Sequence, residues 1–124
     1  MKFASVRVVT AQFDRLVEFY STLTAIAPTQ LAPGFAEIRL PGATLAISSE
    51  EIINRVNGGA IVPRSNRSLM LELQVDDVAA TLARLGEGFA DIVQPATTMP
   101  WGNVSLLLRD PDGAIVNIFS RPTA

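Results

Sequence analysis

The sequence presents one pattern of secondary-structure signals twice, and this repeat limits the possible folds more than any other feature. Residues 6–10 are rich in β-branched side chains and precede apolar residues with helical spacing, as expected for a strand followed by a helix. Residues 69–75 alternate like a strand, and Asp76 or Asp77 can cap the helix that follows. The second unit begins roughly 65 residues after the first. The apolar helix stripes are Phe13, Leu16, Val17, Tyr20 and Leu23 in the first unit and Val78, Leu82 and Leu85 in the second.

Each predicted helix is followed by strand signals that close into a hairpin. Residues 35–48 fold back around Pro41-Gly42, and residues 104–119 fold back around the Asp-Pro-Asp-Gly turn at 110–113. A further short strand is predicted before each hairpin, at 29–31 and at 91–94. The sequence therefore predicts an α+β fold built from two βαβββ modules.

The predicted boundaries place both modules in a single domain over residues 1–124. Module one covers about 1–48, a connector covers about 49–68, and module two covers about 69–120. Ser48 and Glu51 have the spacing of a capping box, and Asn57-Gly58-Gly59 would end a short connector helix. The rest of the connector is interpreted as a linker, with an extra strand or a ligand-covering loop as alternatives.

The composition excludes several classes of function. The chain has no cysteine and no histidine, so any metal would need carboxylate and amide ligands. A net charge of -2 without a basic cluster argues against a nucleic-acid partner. No apolar run is long enough to cross a membrane, and the first residues lack the apolar region of a secretory signal. We therefore expect a soluble, cytoplasmic protein.

The predicted hairpin registers assign the strand side chains to two faces. Leu40 is placed opposite Ala43 in the first hairpin, and Arg109 opposite Ala114 in the second. One face is then wholly apolar, as expected beneath helices. The other face mixes charged and apolar side chains, which suits a cavity better than a core or an open surface. This mixed face includes Ser5, Arg7, Glu37, Arg39, Met70, Glu72, Leu106, Leu108, Asn117 and Phe119.

Three stretches carry a resemblance to a known family. They are "VEFYSTL" on the first helix, "LELQVDDV" at the start of the second module, and "PWGNVSLLLRDPDGAIVNIF" near the end. Together they resemble the glyoxalase, bleomycin-resistance and dioxygenase group of the vicinal oxygen chelate superfamily, over nearly the whole chain. The resemblance implies that the two modules form a curved mixed sheet around a cavity, and that the protein is a homodimer.

The metal ligands implied by the resemblance are missing. The corresponding positions hold Ser5, Ala46, Met70 and Asn117, the last replacing a glutamate four residues after the turn glycine. These residues do not make a site for a hard divalent ion. We therefore predict a metal-independent protein without a cofactor, although Glu37 and Glu72 leave a carboxylate-bound metal as an alternative.

The predicted ligand site combines charged groups with apolar walls. It comprises Ser5, Arg7, Arg39, Met70, Glu72, Trp101, Leu106, Leu108, Asn117 and Phe119. In the simpler interpretation, Arg7, Glu37, Arg39 and Glu72 only neutralise one another. Trp101 can stack on a planar ligand, or it can pack at a dimer interface or beneath the second helix.

Three functions remain open. The preferred prediction is a small-molecule binder of the bleomycin-resistance type, which holds its ligand in the cavity between the modules and could sequester a drug. The alternative is an enzyme of the lyase or isomerase type, in which Glu37 or Glu72 is the general base and Arg7 stabilises a developing anion. The third possibility is a regulatory or interaction module.

Overall fold

The computed structural model describes residues 1–123, which divide into two compact units, Met1–Ser65 and a second unit that begins at Asn66. The first unit contains β1 (Val6–Thr10), α1 (Phe13–Thr24), β2 (Thr29–Ala32), β3 (Phe35–Leu40), β4 (Ala43–Ser49) and α2 (Glu50–Asn57). The second contains β5 (Met70–Gln74), α3 (Val78–Leu85), β6 (Ile92–Thr98), β7 (Val104–Arg109) and β8 (Ile115–Ser120).

Each unit contains one four-stranded mixed sheet. The strand order is β1-β4-β3-β2 in the first sheet and β5-β8-β7-β6 in the second. In both sheets the first strand runs parallel to the last, and the other neighbours are antiparallel. The predicted α+β fold of two βαβββ modules is therefore confirmed, and α2 is the short helix expected in the connector.

The two module helices begin at equivalent positions but bury different amounts of apolar surface. Helix α1 has 12 residues and buries Leu16, Phe19, Tyr20 and Leu23. Helix α3 has eight residues, starts after the capping residue Asp77, and has Val78 as its buried residue. The shorter helix leaves more of the second sheet to be covered by the segment between α3 and β6.

The connector helix starts one residue later than the sequence predicts. Ser49, not Ser48, is the capping residue, and its Oγ accepts a hydrogen bond of 3.2 Å from the Ile52 N–H. Ser48 is buried in β4, where it pairs with Val9 and Phe35, so its side chain is not available to the helix. The predicted end is confirmed, since α2 stops at Asn57 and Gly58 adopts a left-handed conformation.

The first hairpin has the predicted register. Leu40 pairs with Ala43, and Glu37 pairs with Ala46. A two-residue connection at Pro41-Gly42 leaves only this pairing, which also puts alternate residues of β3 on opposite faces of the sheet.

The predicted register of the second hairpin is wrong by one residue. Arg109 pairs with Ile115, not with Ala114, so that Leu108 faces Val116 and Leu107 faces Asn117. The cause is a three-residue loop, Pro111-Asp112-Gly113, in place of the four-residue loop assumed from the motif. Such a loop ends in a residue with positive φ, and Gly113 has a φ of 86°.

Asp110 closes this loop with both its backbone and its side chain. Its N–H donates to the Ala114 carbonyl at 2.9 Å. Its buried Oδ1 accepts from the backbone N–H groups of Asp112 and Ala114, both at 2.9 Å. These bonds replace the ladder at the hairpin end and satisfy donors that would otherwise be unpaired.

Removing the Asp110 carboxylate is expected to destabilise the second unit. Asp110→Ala should lower the free energy of unfolding by about 1–3 kcal/mol, because two part-buried N–H donors lose their acceptor. Urea denaturation followed by circular dichroism measures the change. Asp110→Asn retains an acceptor oxygen and is the control; equal losses in both variants would contradict the assigned role of Oδ1.

No helix within residues 1–123 is long and apolar enough to cross a membrane.

Candidate functional site

The second unit contains a chain of side-chain hydrogen bonds on the face of the sheet that carries Asn117. Ser105 Oγ donates to Asn117 Oδ1 at 2.6 Å, and Asn117 Nδ2 donates to Glu72 Oε2 at 2.9 Å. The register brings them together. Glu72 on β5 pairs with Asn117 on β8, and Ser105 on β7 lies two residues before Leu107, which pairs with Asn117 from the other side. We call these three residues, Ser105, Asn117 and Glu72, the Glu72 relay.

The relay has a defined polarity. Ser105 and Asn117 are buried, whereas Glu72 is exposed. An ionised carboxylate can only accept hydrogen bonds, so the amide must present Nδ2 to Glu72 and Oδ1 to the Ser105 hydroxyl. A buried amide thereby orients a carboxylate that solvent or a ligand can reach.

The side chains around the relay form a surface of mixed polarity. We call it the Glu72 surface, and strand alternation places on it Met70, Glu72, Gln74, Ser105, Leu107, Ile115, Asn117 and Phe119. Four of the predicted site residues, Met70, Glu72, Asn117 and Phe119, are therefore brought together. Ser105 was missed, because the incorrect register put its neighbours on this face, and the Asp-Pro-Asp-Gly motif by itself does not select the three-residue loop.

The face predicted for Leu106 and Leu108 is wrong. Leu106 pairs with Ile118 and Leu108 with Val116, and both leucines are only 1% exposed. They lie on the helix side of the sheet, away from the Glu72 surface.

On that helix side, Leu106 and Leu108 border an apolar cavity of about 350 Å³, together with Leu82, Phe89 and Ile92. The cavity lies beyond the end of α3, where the repeat places Gly88 at the position of Leu23 in the first module. The shorter helix and the missing side chain account for the space.

The corresponding face of the first unit carries Arg7, Phe35, Glu37 and Arg39. Arg7 and Glu37 both pair with Ala46 of β4 and therefore flank it. The Arg7 guanidinium carbon lies 4.5 Å from the centroid of the Phe35 ring. We call Arg7, Phe35, Ala46 and Ser48 the Arg7 surface.

Glu37 and Arg39 form one part of the mutual neutralisation that the simpler interpretation expects, whereas neither Arg7 nor Glu72 takes part in an ion pair within residues 1–123. Arg39 Nη2 lies 2.9 Å from Glu37 Oε1, and Arg39 Nε donates to the same oxygen at 3.0 Å. An exposed pair of this kind contributes little to stability. The ion pair does bind the Glu37 carboxylate to Arg39, and Glu37 was one of the candidate general bases.

The residues at the implied metal positions do not fit a divalent ion. Ala46 has no donor atom, Met70 offers a soft thioether, and the amide of Asn117 is already bonded to Ser105 and Glu72. Ser5 is exposed and precedes β1. Among residues 1–123, no three acidic side chains come close enough together to hold a metal.

Trp101 lies at the tip of the connection between β6 and β7. Its side chain is 68% exposed, so the expectation that it packs beneath the second helix is wrong. The backbone around it is closed by bonds from Met99 N–H to the Asn103 carbonyl and from Gly102 N–H to the Met99 carbonyl. Stacking on a ligand and packing in a dimer stay as predictions.

Comparison with family models now identifies the chain. The model described as a glyoxalase-like domain matches residues 5–119, which include both βαβββ modules. The chain belongs to the glyoxalase-like family. Membership supports a small-molecule-binding or enzyme-like role, and the predicted resemblance is confirmed. None of the curated proteins matches this glyoxalase-like sequence.

Solved structures show the same fold. A glyoxalase/bleomycin resistance protein/dioxygenase from Nocardioides is 22% identical over 100% of this chain and 89% of its own, with a TM-score of 0.78. A glyoxalase-related enzyme from Fulvimarina pelagi is 23% identical over 98% of this chain and 88% of its own, with a TM-score of 0.81. A family enzyme from Burkholderia phytofirmans PsJN is 15% identical over 96% of this chain and 98% of its own, with a TM-score of 0.76. At these identities the likeness shows the fold alone.

Proposed function

We propose that the protein binds a small organic molecule at the Glu72 surface without using a protein-bound metal. The observation that carries the proposal is the Glu72 relay. Asn117 lies at the position where the family resemblance implies a metal-binding glutamate. Its side-chain amide instead accepts a hydrogen bond from Ser105 and donates one to Glu72. The charged group of this surface is thereby oriented for a ligand.

The chemistry of the surface indicates how a ligand would be held. The Glu72 carboxylate can accept hydrogen bonds from N–H or O–H groups, and such charge-assisted bonds are stronger than neutral ones. Met70, Leu107 and Phe119 offer apolar contact beside it. A few polar groups among apolar neighbours are typical of small-molecule sites.

An enzyme of the lyase or isomerase type is the second candidate, favoured by one observation. The side-chain partner of Glu72 is a neutral amide and not an arginine, so the carboxylate can take a proton from a bound substrate. Glu37 is less suited to this role, because Arg39 binds it.

The remaining expectations about function stay as predictions. They are that the ligand lies in a cavity between the modules, that the protein forms a homodimer in the cytoplasm, that Ser5, Arg39 and Trp101 contact the ligand, and that a drug is sequestered.

The first experiment is a thermal-shift screen with divalent metals and with a panel of small metabolites and antibiotics. Selective binding to the folded state must raise the melting midpoint. We expect at least one organic compound, and no metal, to raise it saturably. A saturable rise with a metal, retained in Asn117→Leu but absent in Glu72→Gln, would contradict metal-independent binding.

The strongest stabiliser from the screen should lose affinity when the Glu72 carboxylate is removed. Glu72→Gln keeps the size and the hydrogen bond from Asn117, and we expect Kd to rise by about tenfold or more because a charged acceptor is lost. Calorimetric titration measures the change. Glu51→Gln, at an exposed position on α2 and outside the Glu72 surface, controls for net charge; equal losses in both variants would place the ligand elsewhere.

A further inference from the structure

We infer that the Arg7 surface is a binding site for a carboxylate or a similar planar oxyanion of a small ligand. The inference goes beyond the proposed function, because it concerns the first module and names a chemical group that the Glu72 surface does not require. It rests on the position of Arg7, on the ion pair between the neighbouring Glu37 and Arg39, and on the N–H donors of Arg7 that have no acceptor.

Arg7 is held in place by the architecture of the sheet. Strand β4 separates β1, which carries Arg7, from β3, which carries Phe35. The guanidinium and the ring nevertheless lie 4.5 Å apart, so the two side chains meet above β4. On this face β4 presents Ala46 and Ser48, which are 1% and 0% exposed. Small residues at these positions leave the room that the two side chains need.

The contact with the ring positions the guanidinium, and it does not supply a hydrogen-bond acceptor of the kind that a carboxylate would. The ring attracts the positive charge electrostatically, whereas the five N–H groups of the guanidinium form their hydrogen bonds with oxygen acceptors. Within residues 1–123, the Arg7 side chain has no hydrogen-bond acceptor and no carboxylate partner. Arg7 is exposed, so a ligand can reach it. The planar fork of donors matches a carboxylate in a two-bond arrangement.

The charged side chains next to Arg7 are Glu37 and Arg39, which pair with each other, so Arg7 is the cation of this face that is available to an anion. Arg39 is bound by Glu37 through Oε1, which neutralises both side chains. Glu37 flanks Ala46 on the other side from Arg7 and would repel an anion if it were unpaired. The ion pair reduces this repulsion, because each charge is partly cancelled at short range.

A second polar group on the same face has no partner. Ser48 Oγ is buried and makes no hydrogen bond within the described part of the chain. Ser48 pairs directly with Phe35, so the two residues are cross-strand neighbours on the face where Arg7 meets the Phe35 ring. An unpaired buried hydroxyl costs free energy, and an oxyanion oxygen that reached it would supply an acceptor.

The test uses benzoate, with benzamide as its neutral analogue, in titrations followed by backbone amide chemical shifts at low ionic strength. We expect saturable shifts in β1 and β3 with benzoate and much weaker ones with benzamide. Arg7→Gln should raise the benzoate Kd by about tenfold or more, because charge-assisted bonds are lost. Phe35→Leu should raise it less, by about threefold, since it releases the guanidinium without removing it.

The matched control is Arg15→Gln, which removes one exposed positive charge on α1 and should leave the benzoate Kd within about twofold. Equal Kd values for wild type and Arg7→Gln, or equal affinity for benzoate and benzamide, would overturn the inference. Glu72→Gln separates the two proposals: it should leave benzoate binding unchanged, whatever it does to the compound identified in the thermal-shift screen.

Discussion

Replacing Leu108 by alanine is expected to lower the free energy of unfolding by about 2–5 kcal/mol, whereas Leu107→Ala should cost about 1 kcal/mol. Leu108 is 1% exposed on the helix side of β7, and its side chain cannot be removed without leaving a cavity. Leu107 is half-buried and faces the other way, opposite Asn117. The two variants remove the same atoms from adjacent residues, so their difference measures the difference in burial.

Urea denaturation with both variants decides the register of the second hairpin. In the observed register, Leu108 shares the core with Val116, its cross-strand partner. A shift of one residue would move Leu107 into the core and Leu108 onto the Glu72 surface. A larger loss for Leu107→Ala than for Leu108→Ala would therefore contradict the structure and restore the pairing expected from a four-residue turn.

Asn117→Asp is expected to destabilise the protein by about 3 kcal/mol at neutral pH. The substitution replaces the Nδ2 donor, which lies 2.9 Å from Glu72 Oε2, by a second carboxylate oxygen. A part-buried hydrogen bond is lost and two like charges face each other. The loss should shrink as the pH falls, because protonation of one carboxyl group removes the repulsion and restores a donor. Thermal unfolding between pH 4 and pH 8 measures both effects.

A double-mutant cycle makes this prediction specific to the relay. In Glu72→Gln/Asn117→Asp, the glutamine amide donates to the aspartate, and Ser105 still donates to its other oxygen, so every group regains a partner. We expect the double variant to recover most of the stability lost in Asn117→Asp. Additive losses would show that Asn117 and Glu72 do not interact as the structure has them.

The first hairpin could be predicted from sequence and the second could not. Pro41-Gly42 is a two-residue turn between alternating strands, and only one register satisfies it. The Asp-Pro-Asp-Gly motif fits either a four-residue loop or a three-residue loop closed by Asp110 and Ala114. The choice depends on the buried Oδ1 of Asp110 accepting from Asp112 and Ala114. Nothing in the linear pattern reports that burial.

The sequence by itself determined the repeat, the order of the elements and the absence of the implied metal ligands, because these follow from periodicity and residue type along the chain. Only the tertiary structure decided which side chains meet. Glu72 and Asn117 are 45 residues apart. Arg7 and Phe35 meet only because β4 lies between their strands and carries small side chains there. A one-residue change of register turns a strand's side chains to the opposite face, so such contacts are fixed by packing and loop geometry.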